Sequence, residues 1–184
     1  TGKKVVLIEC GWFYNDSIEA AFTESQKLLS PSVRLVRVDG RQQKSLRMAW
    51  SSADIFCSFA DNIQETFGIT PLEAMASGLP VVVSDWNGYK ETVRDQVDGF
   101  RVKTSAPTAD AKQDFHKLYA TKCIDYDAYL GLISLQVSVC LDGAQKAFTS
   151  LLNSEELRYR MGENGRCRVK DTFDWKNIIP QYEN

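Results

Sequence analysis

The sequence holds a single histidine, His116, among 184 residues. One imidazole leaves a histidine-based zinc site or a histidine-dependent nucleophile triad almost nothing to work with. The five cysteines, Cys10, Cys57, Cys123, Cys140 and Cys167, are odd in number, widely spaced and free of any C-x-x-C pair. They read as buried, reduced packing thiols of a cytoplasmic protein, not as a disulfide frame. There is no excess of either charge: 22 Lys and Arg stand against 24 Asp and Glu, a formal net charge of -2. A nucleic-acid binder should show a basic excess or stripe. No apolar run approaches the roughly 18–20 residues of a membrane helix. The strongest, Val5–Ile8 and Leu79–Val83, are strand-sized, and no apolar h-region follows Thr1-Gly2-Lys3-Lys4, so no secretory signal is expected. Internal repeats and low-complexity tracts are also missing.

What is present is an ordinary globular composition, 43% apolar, 25% charged and 11% aromatic. The length suits one domain or one lobe of a larger enzyme. Lys3–Gly11 reads as a buried strand ending at a glycine. Asn15, Asp16 and Ser17 offer helix N-caps, and Ile18, Ala21, Phe22, Leu28 and Leu29 form one face of a helix that stops at Ser30-Pro31. Val33–Val38 is the next strand, interrupted by Arg34 and Arg37 as near an edge. Asp39-Gly40 turns the chain into a short helix around Leu46–Trp50. Further strands are expected at Ile55–Cys57, Pro80–Val83 and Gly99–Val102, with helices from about Pro71 to Ser77 and from Tyr89 to Arg94. Gly78 stands where a left-handed C-cap belongs. Strands and helices alternating at this spacing imply a parallel, doubly wound α/β sheet, a Rossmann-like core over residues 1–103. Such sheets bind ligands beyond the carboxyl ends of their strands.

From Thr104 the character changes. Thr104–Gln113 is polar and reads as an extended linker. Helices are expected over Asp114–Lys122, Tyr126–Val139, Ala144–Leu152 and Glu155–Val169, with Tyr119, Tyr126, Tyr129, Leu132, Leu135 and Val139 spaced like core. Residues 104–184 are thus a linker and helical part of the same lobe. A final helix begins near Phe173–Lys176 and Pro180 interrupts it.

The segment with chemistry in it runs from Asp61 to Pro80. Glu65 lies in a polar loop after a strand, and Gly68 permits close backbone approach. Thr70 as N-cap and Pro71 in the first turn start a helix. Free N–H groups at that helix start, with the helix dipole, suit a phosphate or diphosphate. Glu73, in the first turn, can accept from paired hydroxyls such as those of a ribose, and Glu65 can meet hydroxyls on whatever the phosphate carries. Two carboxylates beside a diphosphate repel it, so cations must offset them. Arg37, Arg41, Lys44 and Lys90 are the candidates, none aimed at the site by its spacing.

Glu65 and Glu73, with seven residues between them in Glu-Thr-Phe-Gly-Ile-Thr-Pro-Leu-Glu, resemble the E-x7-E motif of retaining GT-B glycosyltransferases. The flanking Glu73–Val82, then Ser84-Asp85-Trp86-Asn87-Gly88-Tyr89-Lys90-Glu91-Thr92-Val93 and Asp98-Gly99-Phe100, extend the likeness to the donor-binding lobe of glycosyltransferase family four. It is strongest over Val33–Val102, looser over Val5–Leu29 and weak in the helical tail. The resemblance implies one lobe of a GT-B fold and transfer of a hexosyl group with retention, as in polysaccharide biosynthesis. The donor would be a nucleotide-diphosphate sugar, with no metal or other cofactor.

By the same resemblance Glu65 would contact the donor sugar near the reacting carbon, and Glu73 the ribose hydroxyls. Thr66, Phe67, Gly68 and Ile69 would meet sugar and diphosphate through backbone N–H groups. The Gly40-Arg41 turn would flank the base. The family's acceptor lobe precedes this one, and its phosphate-binding Arg/Lys pair opens it; neither has a counterpart here. The chain is therefore expected to be part of a larger protein, binding donor weakly and catalysing poorly by itself.

Each residue also has a plainer reading. Glu65 would be a solvated loop carboxylate, and Glu73 a favourable acid early in a helix. Arg41 and Lys90 would be surface charges, Gly11 a strand end and His116 a helix surface residue. Trp12, Phe13 and Tyr14 would be packing aromatics. The rival classes are a non-catalytic nucleotide-sugar module or partner subunit, a sugar-nucleotide epimerase or phosphorylase, and a flavodoxin-like signalling domain. Missing histidine near the motif weighs against the epimerase and phosphorylase, and the E-x7-E context against the last.

Overall fold

The structure is a computed structural model describing residues 2–108 and 112–183. The chain divides into two compact units, Thr1–Ala53 and Asp54–Asn184.

In the first unit β1 (Val6–Gly11) and β2 (Arg34–Asp39) pair in parallel, from Val6 opposite Arg34 to Gly11 opposite Asp39. Parallel neighbours need a crossover, which α1 (Asp16–Leu29) supplies; α2 (Gln43–Ser52) follows β2. Asn15 caps α1 by accepting from the Ile18 N–H at 2.9 Å, and Asp16 and Glu19 place negative charge at its positive end. Arg37 explains the interruption of β2. Its guanidinium meets Glu9 on β1 at 2.9 Å and Glu19 on α1 at 3.0 Å, and lies over the rings of Phe13 and Phe22.

The strand expected at Lys3–Gly11 forms over Val6–Gly11, but it is not buried. No described residue of this unit is fully buried, and Val6, Leu7, Leu28 and Leu29 are all exposed. A two-stranded ladder has no central strand to be covered on both faces. Of the three adjacent aromatics Phe13 packs against Phe22 at 5.5 Å between ring centres, while Trp12 and Tyr14 are exposed.

In the second unit β3 (Phe56–Ser58), β4 (Val81–Ser84) and β5 (Gly99–Val102) form a parallel ladder in that order, with β4 central and buried at every residue. The crossovers contain α3 (Ile69–Ala76) and α4 (Tyr89–Thr92). Gly78 is left-handed, φ +79°, directly after α3, as expected. A Cβ at Gly99 would collide with the Val81 carbonyl, so the β4–β5 approach requires glycine. After β5, β6 (Thr104–Ser105) pairs antiparallel with β7 (Ser138–Val139). Between them lie α5 (Gln113–Ala120) and α6 (Tyr126–Ser134). Then come α7 (Leu141–Asn153), α8 (Glu155–Arg168), a π-helical turn over Val169–Phe173, and α9 (Trp175–Tyr182).

The core joins Val82 and Val102 to Ala144, Ala147 and Leu151 of α7 and Met161 of α8. Gly162 and Gly165 let α8 ride close on Gly78 and Met75. Asp98, 0% exposed, takes two bonds from the Arg94 guanidinium, at 2.6 and 3.0 Å, and lies 3.8 Å from Arg168. Pairing of this kind is what lets a carboxylate be buried. The α/β class is as predicted: parallel strands flanked by helices, with a helical C-terminal part.

Several local expectations change. Thr104–Ser105 is a strand, not linker; the linker expected at residues 109–111 lies outside the described residues. The helix expected through Val139 stops at Ser134, so Leu135 turns to solvent. Tyr129 and Ile133 are its buried residues, while Tyr119 and Tyr126 are exposed. Pro180 lies inside α9, near its end, where few further backbone bonds are at stake. The five cysteines are free, as read, but exposed. Cys123 sits in the turn after α5, and Cys140 caps α7, its sulfur accepting from the Gly143 N–H.

Candidate functional site

The loop that leaves the carboxyl end of β3 is held by the segment that leaves the carboxyl end of β4. The Ser84 hydroxyl donates to the Ala60 carbonyl, and the Trp86 indole N–H to the Asn62 carbonyl at 2.8 Å. The Gly88 N–H reaches the Glu65 carbonyl at 3.5 Å, and a Cβ on Gly88 would strike the Thr66 and Phe67 backbone. On the other side the Gln64 amide donates to the Tyr126 hydroxyl at 3.0 Å. Neighbouring strand ends thus carry the crevice where open α/β sheets bind ligands.

Glu65 is half-buried in this loop. Its Oε2 accepts from the Tyr89 hydroxyl at 3.4 Å. Tyr89 is 1% exposed, and its hydroxyl also meets Ser58 Oγ at 2.8 Å. Burial, more than the nearby Glu65 charge, pushes the Tyr89 pKa up, so the phenol keeps its proton at neutral pH.

The helix start differs from expectation. Gly68, not Thr70, is the N-cap of α3, with φ +79° and no side-chain cap bond. A Cβ at Gly68 would run into the Tyr89 ring, so the turn is sterically reserved for glycine. The helix therefore begins earlier, at Ile69, and Glu73 lies just beyond the first turn instead of within it. Pro71, Leu72, Ala74 and Met75 point inward, leaving Glu73 on the exposed side. The first N–H groups of α3 have no side-chain cap, the condition under which a helix start can take an anion. Thr66, Phe67 and Ile69 are exposed around this start, Phe67 packing edge-on against Phe173.

The structure thus brings Glu65, Thr66, Phe67, Gly68, Ile69 and Glu73 onto one loop and helix of the second unit. Gly40 and Arg41 belong to the first unit. There Gly40 makes a tight turn, its N–H on the Gly11 carbonyl at 3.4 Å. Arg41 grips Asp39 with two bonds of 2.9 Å and lies over the Trp12 ring. Its hydrogen bonds hold the Asp39 carboxyl below its usual pKa. Both arginines named as candidate cations are therefore engaged, Arg37 with two glutamates and Arg41 with one aspartate. His116 is an exposed helix residue bonded to the Tyr129 hydroxyl at 2.9 Å.

Sequence reasoning missed Ser58, Ser84, Trp86, Gly88 and Tyr89 as the groups that hold the loop. The signal available was Gly88, a glycine directly before a helix. Among the described residues no cluster of three or more His, Cys, Asp or Glu could hold a metal ion, and no helix is long and apolar enough to cross a membrane.

Parallel strands, covering helices and a loop–helix crevice of this form define one lobe of the GT-B class. HepE of Anabaena, solved in complex with UDP, superposes with a TM-score of 0.63 at 16% identity, over 97% of this chain and 40% of that one. Sucrose-phosphate synthase of Thermosynechococcus elongatus superposes at 0.60 and 22% identity, over 98% and 37%. The chain belongs to the group 1 glycosyl transferases: the family model matches residues 22–119, which include Glu65 and Glu73. It is 38% identical over 133 residues to the phosphatidyl-myo-inositol mannosyltransferase of Mycobacterium tuberculosis strain H37Rv, covering 72% of this chain and 27% of that protein. The protein of the same name in Mycobacterium leprae is 47% identical over 66 residues, 34% of this chain and 17% of that one. The chain thus spans a minor part of the relatives it matches.

Proposed function

We propose that the chain is the donor-binding lobe of a retaining glycosyltransferase, transferring a hexosyl group from a nucleotide-diphosphate sugar to an acceptor without a metal. The observation that carries the reading is the loop–helix from Glu65 to Glu73. It combines a half-buried carboxylate, a left-handed glycine, helix N–H groups free of a side-chain cap, and an exposed carboxylate one turn further on.

The helix start meets the diphosphate, where negative charge grows as the glycosidic bond to phosphate breaks. Glu65 accepts from hydroxyls of the donor sugar beside the reacting carbon. Glu73 accepts from the ribose hydroxyls, while Thr66–Ile69 supply backbone N–H groups to sugar and diphosphate. The leaving diphosphate takes the acceptor's proton on the same face, which preserves the anomeric configuration. An acceptor lobe of the same protein completes the site, so the chain alone binds donor and turns over little. Five free cysteines support work in the reducing cytoplasm.

The test is calorimetric titration of the chain with UDP, GDP and ADP and their sugar conjugates, with Glu73→Ala beside it and EDTA present in one arm. Saturable binding of one nucleotide, lost in Glu73→Ala and indifferent to EDTA, is the expected result. Binding that survives Glu73→Ala unchanged would overturn the ribose assignment.

A further inference from the structure

Tyr89 is the first residue of α4 and is buried, yet it carries a hydroxyl that burial obliges to find partners. Ser58 Oγ stands at 2.8 Å, at the end of β3, and Glu65 Oε2 at 3.4 Å, and the Thr70 side chain in the first turn of α3 is a third partner. A phenol has one proton, and an ionised carboxylate can only accept. With the Ser58 and Thr70 hydroxyls donating to the phenol oxygen, the Tyr89 proton is left for Glu65. The same ring occupies the space that any side chain at Gly68 would need. One residue therefore sets both the turn that opens α3 and one oxygen of the glutamate. Among the described residues Oε1 of Glu65 has no hydrogen-bond partner.

We infer that Tyr89, backed by Ser58, is a positioning residue that holds Oε2 of Glu65 so that Oε1 is presented to the sugar of the donor. This rests on the role given to Glu65 above. The raised pKa of the buried phenol keeps it a donor through neutral pH.

The experiment uses the full chain and four probes: UDP, GDP, UDP-glucose and GDP-mannose. The quantity read is how much more tightly a nucleotide sugar binds than its own nucleoside diphosphate. Tyr89→Phe keeps the ring and removes the hydroxyl. It is expected to cut that preference about tenfold while nucleoside diphosphate affinity stays unchanged. Ser58→Ala does the same to a smaller degree, and Ser58→Thr restores the preference. A Tyr89→Phe chain that weakens both ligands equally, or neither, overturns the inference. Should Glu65→Ala leave the preference intact, the donor role of Glu65 falls instead, which separates the two failures. Crystal structures of the wild type and Tyr89→Phe give a reading that needs no ligand. The Glu65 carboxylate moves or splits between rotamers if the inference holds, and an unmoved carboxylate overturns it.

Discussion

In the first unit a two-stranded parallel ladder carries two helices, and Leu28 and Leu29 at the end of α1 remain 81% and 80% exposed. In the second, a ladder only one strand wider buries β4 at every residue and Leu151 to 0% exposure. The strand sequences are equally apolar, Val-Leu-Ile against Val-Val-Val. What differs is position: β4 has a neighbour on each side and helices packed on it, whereas β1 and β2 are both edges. Burial in a parallel sheet is thus a property of being central and covered, not of the strand's own residues. The candidate site sits accordingly. The Glu65 loop is hung from the ends of β3 and β4, the part of the chain with a close-packed base beneath it, and precise placement of a carboxylate needs such a base.

The contrast can be broken most severely at Asp98. Asp98→Ala leaves Arg94 and Arg168 facing an empty site and should cost about 3–5 kcal/mol in urea unfolding. Leu151→Ala, in the α7 core, should cost about 2–5 kcal/mol in the same measurement. The matching truncation in the first unit, Leu28→Ala, should stay within about 0.5 kcal/mol, and a larger loss would mean that α1 is covered in solution. Native-state hydrogen exchange sharpens the same comparison, with β4 amides protected well beyond those of β1 and β2. The smallest effect is electrostatic. Asp39 is held below its usual pKa by Arg41, so its contribution is present above the pKa of an unfolded aspartate and fades as pH falls through the folded value. Carboxyl NMR titration should show Asp39 moving up in Arg41→Ala, with stability above neutral pH barely changed.

Much of this was legible in the chain itself. Glycine at Gly78, proline after Ser30 and the cap at Asn15 punctuate helices by local chemistry, and each works as read. The apolar runs located four of the five parallel strands to within one residue, and β1 starts three residues later than read. Elements that depend on distant partners were not legible. The two-residue strands at Thr104 and Ser138 exist only through each other. The start of α3 lies at Gly68 instead of Thr70, in a left-handed turn that the ring of Tyr89, far along the chain, reserves for glycine. The candidate glutamates could be named from their spacing, but not the tyrosine and serine behind one of them. Hydroxyl partners across a sheet leave no periodic trace.

The short antiparallel pair β6–β7 has a consequence for how the chain can change over time. Thr104 lies opposite Val139, and the Lys103 carbonyl accepts from the Cys140 N–H at 2.9 Å. Among the described residues, β6 and β7 thus bracket the segment containing α5 and α6 like a doorway. Insertions or deletions beyond that doorway leave the register of β5 and the seat of α7 untouched, and closing a longer loop costs little extra entropy. The Tyr126 hydroxyl of that segment also accepts from Gln64 of the Glu65 loop, so changes beyond the doorway that spare α6 are the ones that leave the loop undisturbed.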